Sequence, residues 1–331
     1  MPRIEIEAPA KLNLCLLVGD RRPDGFHGIE SLFLALAFGD TLCVETAPQD
    51  KPPLDIRTDW QPGGFSFNQN PSRLDGLLPP EKNIVSRAVS LFRSRSGWDV
   101  PLAITLEKRI PLGGGLGGGS SDAAAALLAL NRLASPGGEG LLSGADLAGI
   151  GAELGSDVPF FLLGKDAAAA WVSGRGERVR PLALPPGVSG LSFVLVNPGF
   201  PSDTADAFRL LDEYRRQVPR SQLSIETYLR SFSAQPRRWR FSNDFLPVFA
   251  AASGEKNVSG KLGAACREML GALRDLGAGF AGLSGSGSTC FGVFSDSGKA
   301  ALARESLLER WPFVIVTFLL AQRAIRYYNN S

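Results

Sequence analysis

The stretch Ile110 to Ser121 reads IPLGGGLGGGSS, six glycines within seven residues, and runs directly into the helix-forming DAAAALLALNRL. Without a Cβ, such a run reaches positive φ angles at which successive backbone N–H groups converge on one point. Ser120 and Ser121 are favourable N-caps for the helix that follows, whose N-terminus adds partial positive charge at the same spot. Strand, glycine nest, serine pair and helix together describe a phosphate cradle. A mobile linker fails as an explanation, because both flanks are strongly structured. Two further stations carry chemistry. AGLSGSGSTCFG (residues 281–292) is a second serine-glycine loop, able to approach the first or simply to close a tight hairpin. LGSDVPFF places Asp157 between a helix end and a proline-stiffened apolar stretch. Such an aspartate usually serves a turn or a cap, yet beside bound phosphates it would accept a proton from an attacking hydroxyl.

Other phosphate loops fit less well. A Walker A loop needs Lys-Ser/Thr after its last glycine, and Gly119 stands where the lysine would be. Gly113, Gly115 and Gly118 satisfy GxGxxG, but no second parallel strand ending in an acidic residue follows, as a dinucleotide fold requires. The single histidine, His27, rules out mechanisms or metal sites that need two, and its polar turn neighbours predict exposure. Cys15, Cys43, Cys266 and Cys290 lie far apart without a CxxC pair, which suits a reducing compartment. A net charge of +2 over 331 residues, without a basic run, gives no support to nucleic-acid or membrane-surface binding. MPRIEIEAPAKLN has charges where a signal peptide needs an apolar core, and WPFVIVTFLLA is too short to cross a bilayer. A cytoplasmic location is expected.

The elements that must position these groups alternate between strand and helix. Residues 4–18 read as strands, SLFLALAF and TLCVET as a strand pair broken at Gly39-Asp40, and residues 47–82 as a loop-rich insertion. NIVSRAVSLFRSRSG is a helix closed by Gly97, PLAITLEKRI a strand, Ala123 to Leu133 a helix, and GADLAGIGAELG another. Further on, LSFVLVNPG is a buried strand, and DTADAFRLLDEYRR is a helix capped by Asp203 or Thr204. GKLGAACREMLGALRDLGA and KAALARESLLER are helices, and FVIVTFLLA is the closing strand. Hairpin-like stretches among the alternation make the class α+β with mixed or antiparallel sheets.

Five stretches in order, APAKLNLCL, RRPDGFHGIESLF, PLGGGLGGGSSDAA, LGSDVPFFLLG and LSGSGSTCFGVF, resemble those of the GHMP small-molecule kinases. The resemblance runs from about residue 4 to the last strand. It implies an N-terminal lobe of ribosomal-protein-S5-like fold (1–175), a ferredoxin-like C-terminal lobe (176–331), and an active site between them. It also implies transfer of the ATP γ-phosphoryl group to the 2-hydroxyl of a cytidine-diphosphate-bearing methylerythritol, an isoprenoid precursor. By the same resemblance Lys11 and Asp157 are the catalytic pair, with Asp157 the base and Lys11 holding it ionised beside the transferring phosphoryl. Pro111, Leu112, Gly113, Gly114, Gly115, Leu116, Gly117, Gly118, Gly119, Ser120 and Ser121 match the ATP phosphate loop, with Lys108 and Asn83 lining the nucleotide pocket. Asn13 matches a substrate-contacting amide. Phe26, His27, Thr204 and Phe208 match the cytidine end, where Phe26 and Phe208 would sandwich the base and His27 would read its edge.

Residues 47–82 and the basic segment AQPRRWRFSNDF look longer or more irregular than the family pattern; SNDF itself resembles a family element, but Asn243-Asp244 receives no role. Mg²⁺ is expected with ATP, but spacing names no ligand set, and Ser121 and Asp122 are only candidates. The expected partner is a small-molecule substrate, bound by a monomer or weak homodimer with no role for nucleic acid or membrane. Another GHMP kinase acting on homoserine, mevalonate or a sugar, a non-catalytic nucleotide-binding module, and an NAD-type dehydrogenase stand as alternatives.

Overall fold

Two sheets share one apolar seam. A computed structural model describes residues 2–61, 83–135, 137, 140–163, 168–218, 224–251, 258–321 and 325–328. The long strands β1 (Arg3–Arg21) and β2 (His27–Thr46) form an antiparallel ladder with register shifts at Pro9/Lys11, Asn13/Cys15 and Val18/Arg21. Each shift re-aims side chains locally. β2 is continuous through Gly39-Asp40, where the sequence predicts a break. Gly39 is present for close approach, because a Cβ there would lie 2.3 Å from the Ala8 carbonyl oxygen.

The far edge of β2 is divided between two partners. Ile29–Leu34 pair with β5 (Ala169–Gly174), and Thr41–Thr46 pair with β4 (Leu102–Lys108). A parallel strand, β3 (Leu54–Trp60), joins β4 inside the stretch read as structureless, while residues 62–82 lie outside the described residues. β6 (Arg178–Pro181), β8 (Ser242–Asn243) and β12 (Ile325–Tyr328) complete the eight-stranded sheet. β12 follows the strand expected to close the chain and pairs with the start of β1. The second sheet is antiparallel, in the order β11 (Phe313–Thr317), β7 (Ser192–Asn197), β10 (Cys290–Phe294), β9 (Phe280–Leu283).

Helices α1 (Ile84–Ser96), α2 (Gly118–Leu133), α3 (Gly144–Leu154) and α4 (Val158–Leu162) cover one face of the large sheet. The run Ala123–Ala126 is fully buried there, its small side chains letting α2 lie close to the strands. Pro159 sits in the first turn of α4, where a missing N–H costs nothing. On the small sheet pack α5 (Thr204–Arg215), α7 (Leu246–Ala251), α8 (Val258–Asp275) and α9 (Ser297–Leu308). A third apolar cluster, including Leu12, Leu34, Phe193, Leu195 and Phe291, fills the space between the sheets, with Tyr228 and Phe232 of α6 (Ile225–Ser233) at its rim.

Candidate active site

The glycine loop leaves β4 and enters α2 with its carbonyls turned into the protein. Ser202 N donates to Gly113 O (3.0 Å), Thr289 N to Gly114 O (3.1 Å), Ser284 Oγ to Gly115 O (2.9 Å), and Lys11 N to Leu116 O (2.9 Å). Four successive acceptors are thereby satisfied from behind. The first N–H groups of α2, which no intrahelical carbonyl reaches, are left for a ligand. Gly115 has φ +75°, and a Cβ on it would lie 2.2 Å from Ser284 O, so the loop and the serine-glycine segment between β9 and β10 touch backbone to backbone. The second loop is therefore both a connection between antiparallel strands and the buttress of the first.

Helix α2 begins earlier than the sequence suggests. Its N-cap is Gly117 at φ +73°, with no side-chain cap bond, so Ser120 and Ser121 lie in the first turn and do not cap it. The glycine run itself becomes helical at Gly118, because alanines 123–126 extend a helix that the preceding small residues tolerate.

Loop residues 111–120 line a cavity of about 990 Å³, together with Lys11, Asn13, Phe26, His27, Lys108, Asp157, Thr204 and Phe208. Asn83 and Ser121 are buried outside that lining. Asn83 instead caps α1, its Oδ1 accepting from Val85 N at 3.0 Å.

Lys11 sits under the loop on β1. Its stem packs where a Cβ of Gly117 would be 3.0 Å away, and its ammonium lies 4.8 Å above the Phe33 ring. Lys11 Nζ donates to Asn13 Oδ1 (2.6 Å) and stands 3.5 Å from Asp157 Oδ2. Asn13 Nδ2 donates in turn to Ser31 Oγ (2.9 Å), so the amide predicted to touch substrate also aims the lysine. Burial lowers the Lys11 pKa, and attraction to Asp157 opposes that fall. Asp157 occupies the N-cap position of α4 without spending its carboxylate on a cap bond, and its side chain remains 26% exposed to the cavity.

Lys108 lines the cavity but is only 1% exposed, held between Asp40 and Asp122 (2.7 Å from Asp122 Oδ2). Asp40 also accepts N–H donors from Arg109 and Ile110 (2.8 Å for Ile110), which fastens the entry to the glycine loop. Asp122 has Lys108 alone on Oδ2, and its Oδ1 is buried without a partner. Burial pushes Asp122 up to about 8, despite the lysine. Burial pulls the other way on Lys108, but the two carboxylates outweigh it and hold the ammonium above the usual lysine range.

These facts test the metal candidates. Ser121 is fully buried and Asp122 is 2% exposed; neither lines the cavity, and the carboxylate is committed to Lys108. The pair does not fit a phosphate-bound Mg²⁺. No cluster of three or more metal-binding side chains exists among the described residues.

At the other end of the cavity His27 is buried, contrary to the expected exposure, because β2 starts there and α5 covers the ring. His27 Nε2 lies 2.8 Å from Asp212 Oδ1, and the ring stacks on Phe208 with centroids 4.9 Å apart. Phe245 meets Phe208 edge-on at 5.0 Å. Phe26 is 52% exposed, with the Arg175 guanidinium 3.9 Å over its ring. Thr204 opens α5, capped by Asp203, and its Oγ1 is 3.0 Å from Ser286 Oγ. Asp212, Phe245 and Arg175 belong to this end, and Asp40 to the entry of the glycine loop; none of the four is evident from the sequence. Asp212 and Phe245 lie on amphipathic or apolar stretches without a local signal, Arg175 sits in a turn, and the supposed break at Gly39-Asp40 hid Asp40.

Residues 83–165 match the family of GHMP kinases N terminal domain, and residues 243–312 that of GHMP kinases C terminal. A 4-diphosphocytidyl-2-C-methyl-D-erythritol kinase from Anaeromyxobacter dehalogenans is 38% identical over 304 residues, covering 90% of this chain and 83% of that protein. A protein of the same name from a Chelativorans species is 38% identical over 316 residues, covering 94% and 93%. The chain belongs to the 4-diphosphocytidyl-2-C-methyl-D-erythritol kinase family of GHMP kinases. A solved 4-(cytidine 5'-diphospho)-2C-methyl-D-erythritol kinase superposes with a TM-score of 0.69 at 32% identity, covering 95% of this chain and 98% of its own. Homoserine kinase from Cytophaga hutchinsonii shares the fold alone, at TM-score 0.64 and 18% identity. The two-lobed α+β architecture expected from the resemblance is the GHMP kinase fold, built here on two sheets.

Proposed function

We propose that this protein is an ATP-dependent kinase that phosphorylates the 2-hydroxyl of 4-diphosphocytidyl-2-C-methyl-D-erythritol. One observation carries the reading: a lysine-aspartate pair stands beside a glycine loop in a cavity whose far end is an aromatic cluster. ATP supplies the γ-phosphoryl group when bound. The loop N–H groups and the α2 N-terminus hold its phosphates, with the loop carbonyls already occupied behind. Asp157 accepts the proton of the acceptor 2-hydroxyl, whose oxygen bonds to the γ-phosphorus as the bond to the ADP oxygen breaks. Lys11 places positive charge where the transferring group gathers negative charge.

Asn13 keeps Lys11 on the axis between loop and carboxylate. A charge pair at 3.5 Å is worth ~4–5 kcal/mol of Coulomb energy at an effective dielectric of about 20, enough to govern a proton transfer. Phe26, His27, Thr204 and Phe208 take the cytidine end. His27 covers one face of Phe208 and Arg175 covers Phe26, so a base would enter by displacing Arg175 or by stacking on its outer face. A 1–175/176–331 division places the cavity between lobes, with β6, β8 and β12 returning to the N-terminal sheet. No helix among the described residues is long and apolar enough to cross a membrane, and a cytoplasmic monomer or weak homodimer completes the reading.

The test is an acceptor panel with labelled ATP. Labelled product from the cytidyl acceptor, and none from mevalonate or homoserine, is the expected result. Product from mevalonate or homoserine alone overturns the substrate assignment.

A further inference from the structure

Asn243 ends β8, and Asp244 and Phe245 form the turn into α7, far in sequence from the loop and from the catalytic pair. Phe245 lines the cavity, and the side chains of Asn243 and Asp244 reach two different segments behind its wall. Asn243 Nδ2 donates to both Leu283 O (2.9 Å) and Gly285 O (2.8 Å), while its Oδ1 accepts from Phe245 N (2.9 Å). It thus holds the serine-glycine loop, whose Ser284 Oγ and Thr289 N satisfy Gly115 O and Gly114 O. Gly285 is wedged between the two functions: a Cβ there would meet Gly115 O at 3.1 Å and Lys11 Nζ at 3.4 Å.

Asp244 works in the opposite direction. Its Oδ2 accepts from Val18 N (2.8 Å) on β1 and from Arg215 Nη2 (2.6 Å) at the end of α5. Arg215 also donates to Val18 O (2.8 Å) and Gly19 O (3.2 Å). This clasp fixes α5 against β1, and α5 carries Thr204, Phe208 and Asp212. Phe245 then packs edge-on against Phe208.

We infer that Asn243 and Asp244 are positioning residues that set the two ends of the active site separately, Asn243 for the phosphate loop and Asp244 for the acceptor aromatics. Neither residue touches the reacting atoms. Adjacent in the chain, they divide the wall where β8 ends: Asn243 pairs with Leu16, and Asp244 N in the turn donates to Leu16 O (3.0 Å). The inference rests on the assignment of one end of the cavity to ATP and the other to the acceptor.

The experiment measures KM for ATP and for the cytidyl acceptor in Asn243→Ala and Asp244→Asn, with Tm for each. Removing the Asn243 donor leaves two buried carbonyls unpaired and is expected to raise the ATP KM about tenfold, with the acceptor KM within about twofold of wild type. Asp244→Asn puts an amide against Arg215 and is expected to raise the acceptor KM about tenfold, leaving the ATP KM within about twofold. Ser284→Ala and Arg215→Lys are milder changes on the same two arms. They are expected to shift the same KM in the same direction, which keeps the test decisive where an Asn243 or Asp244 variant folds poorly. A merely structural role predicts both KM values moving together in step with Tm, and that result, or unchanged KM values in all four variants, overturns the inference. Wild-type protein that binds a fluorescent ATP analogue but never phosphorylates the cytidyl acceptor would instead remove the acceptor assignment. The Asn243 arm would then still be read by binding of that analogue.

Discussion

Asp157 Oδ2 lies 3.5 Å from Lys11 Nζ, one group exposed to the cavity and the other buried beneath the glycine loop. The asymmetry separates their duties, because only Asp157 is open to an incoming hydroxyl. Asp157→Ala and Asp157→Asn are expected to lower kcat by about 10²–10⁴, the usual worth of a positioned general base. ATP affinity should persist, since the loop contacts do not include this side chain. Turnover near the wild-type rate in either variant would remove Asp157 as the base.

Lys11 gives a pH signature. Burial lowers its pKa from the ordinary lysine value, and Asp157 resists only part of that shift. The ammonium therefore loses its proton below the pH at which a free lysine does, near 10.4. The alkaline limb of kcat against pH is expected to fall below that point. Lys11→Arg, which stays protonated, should retain a small activity whose alkaline limb moves upward. A limb unchanged by Lys11→Arg would assign it to another group.

Local chemistry was readable from the chain, and distant closure was not. Helix α1 is announced by its apolar spacing and by Gly97, at φ +70°, whereas Asn83, expected in the nucleotide pocket, caps its other end. The glycine loop is announced by composition, and its neighbours Lys11 and Asp157 by motif wording. What escaped depends on partners elsewhere in the sequence. Gly39-Asp40 resembles a turn until Ala8 O is known to lie against Gly39, and until the Asp40 carboxylate is seen on Arg109 N and Ile110 N. β12 was invisible because its partner, Arg3–Ile6, lies at the other end of the chain. Lys108 lines the cavity, but nothing near it in the chain announces its two buried carboxylate partners.

That buried trio predicts how stability follows pH. Asp122 titrates near 8 in the folded protein and near 3.9 when unfolded. Between those values the native state binds the extra proton, so stability declines as pH rises, by at most about 1.4 kcal/mol per pH unit. Lys108, raised when folded, contributes fully throughout this window. Tm measured from pH 5 to 9 should therefore fall less steeply in Asp122→Asn than in wild type. Parallel profiles would show that Asp122 carries no extra proton.

Gly115 is the position where the two serine-glycine loops meet. Alanine there faces φ +75° and a carbonyl oxygen at 2.2 Å. Together the left-handed conformation and the overlap are expected to cost roughly 2–5 kcal/mol. Chemical denaturation of Gly115→Ala should show that loss, accompanied by weaker ATP binding. A variant of unchanged stability and ATP affinity would mean that the loops part at little cost.

Phe208 distinguishes the acceptor end from the ATP end. Its ring stacks on His27 and meets Phe245 edge-on in one cluster, with Asp212 holding the histidine from the next turn of α5. A base laid against this cluster gains ~1–3 kcal/mol from stacking on an aromatic ring, a figure taken from single-stranded nucleic acid. Phe208→Ala is accordingly expected to raise the KM for the cytidyl acceptor about 5- to 150-fold while leaving the ATP KM near wild type. Phe208→Tyr keeps the ring and should recover most of the affinity. Were Phe208→Ala to weaken ATP and leave the acceptor untouched, the two ends of the cavity would have to be exchanged.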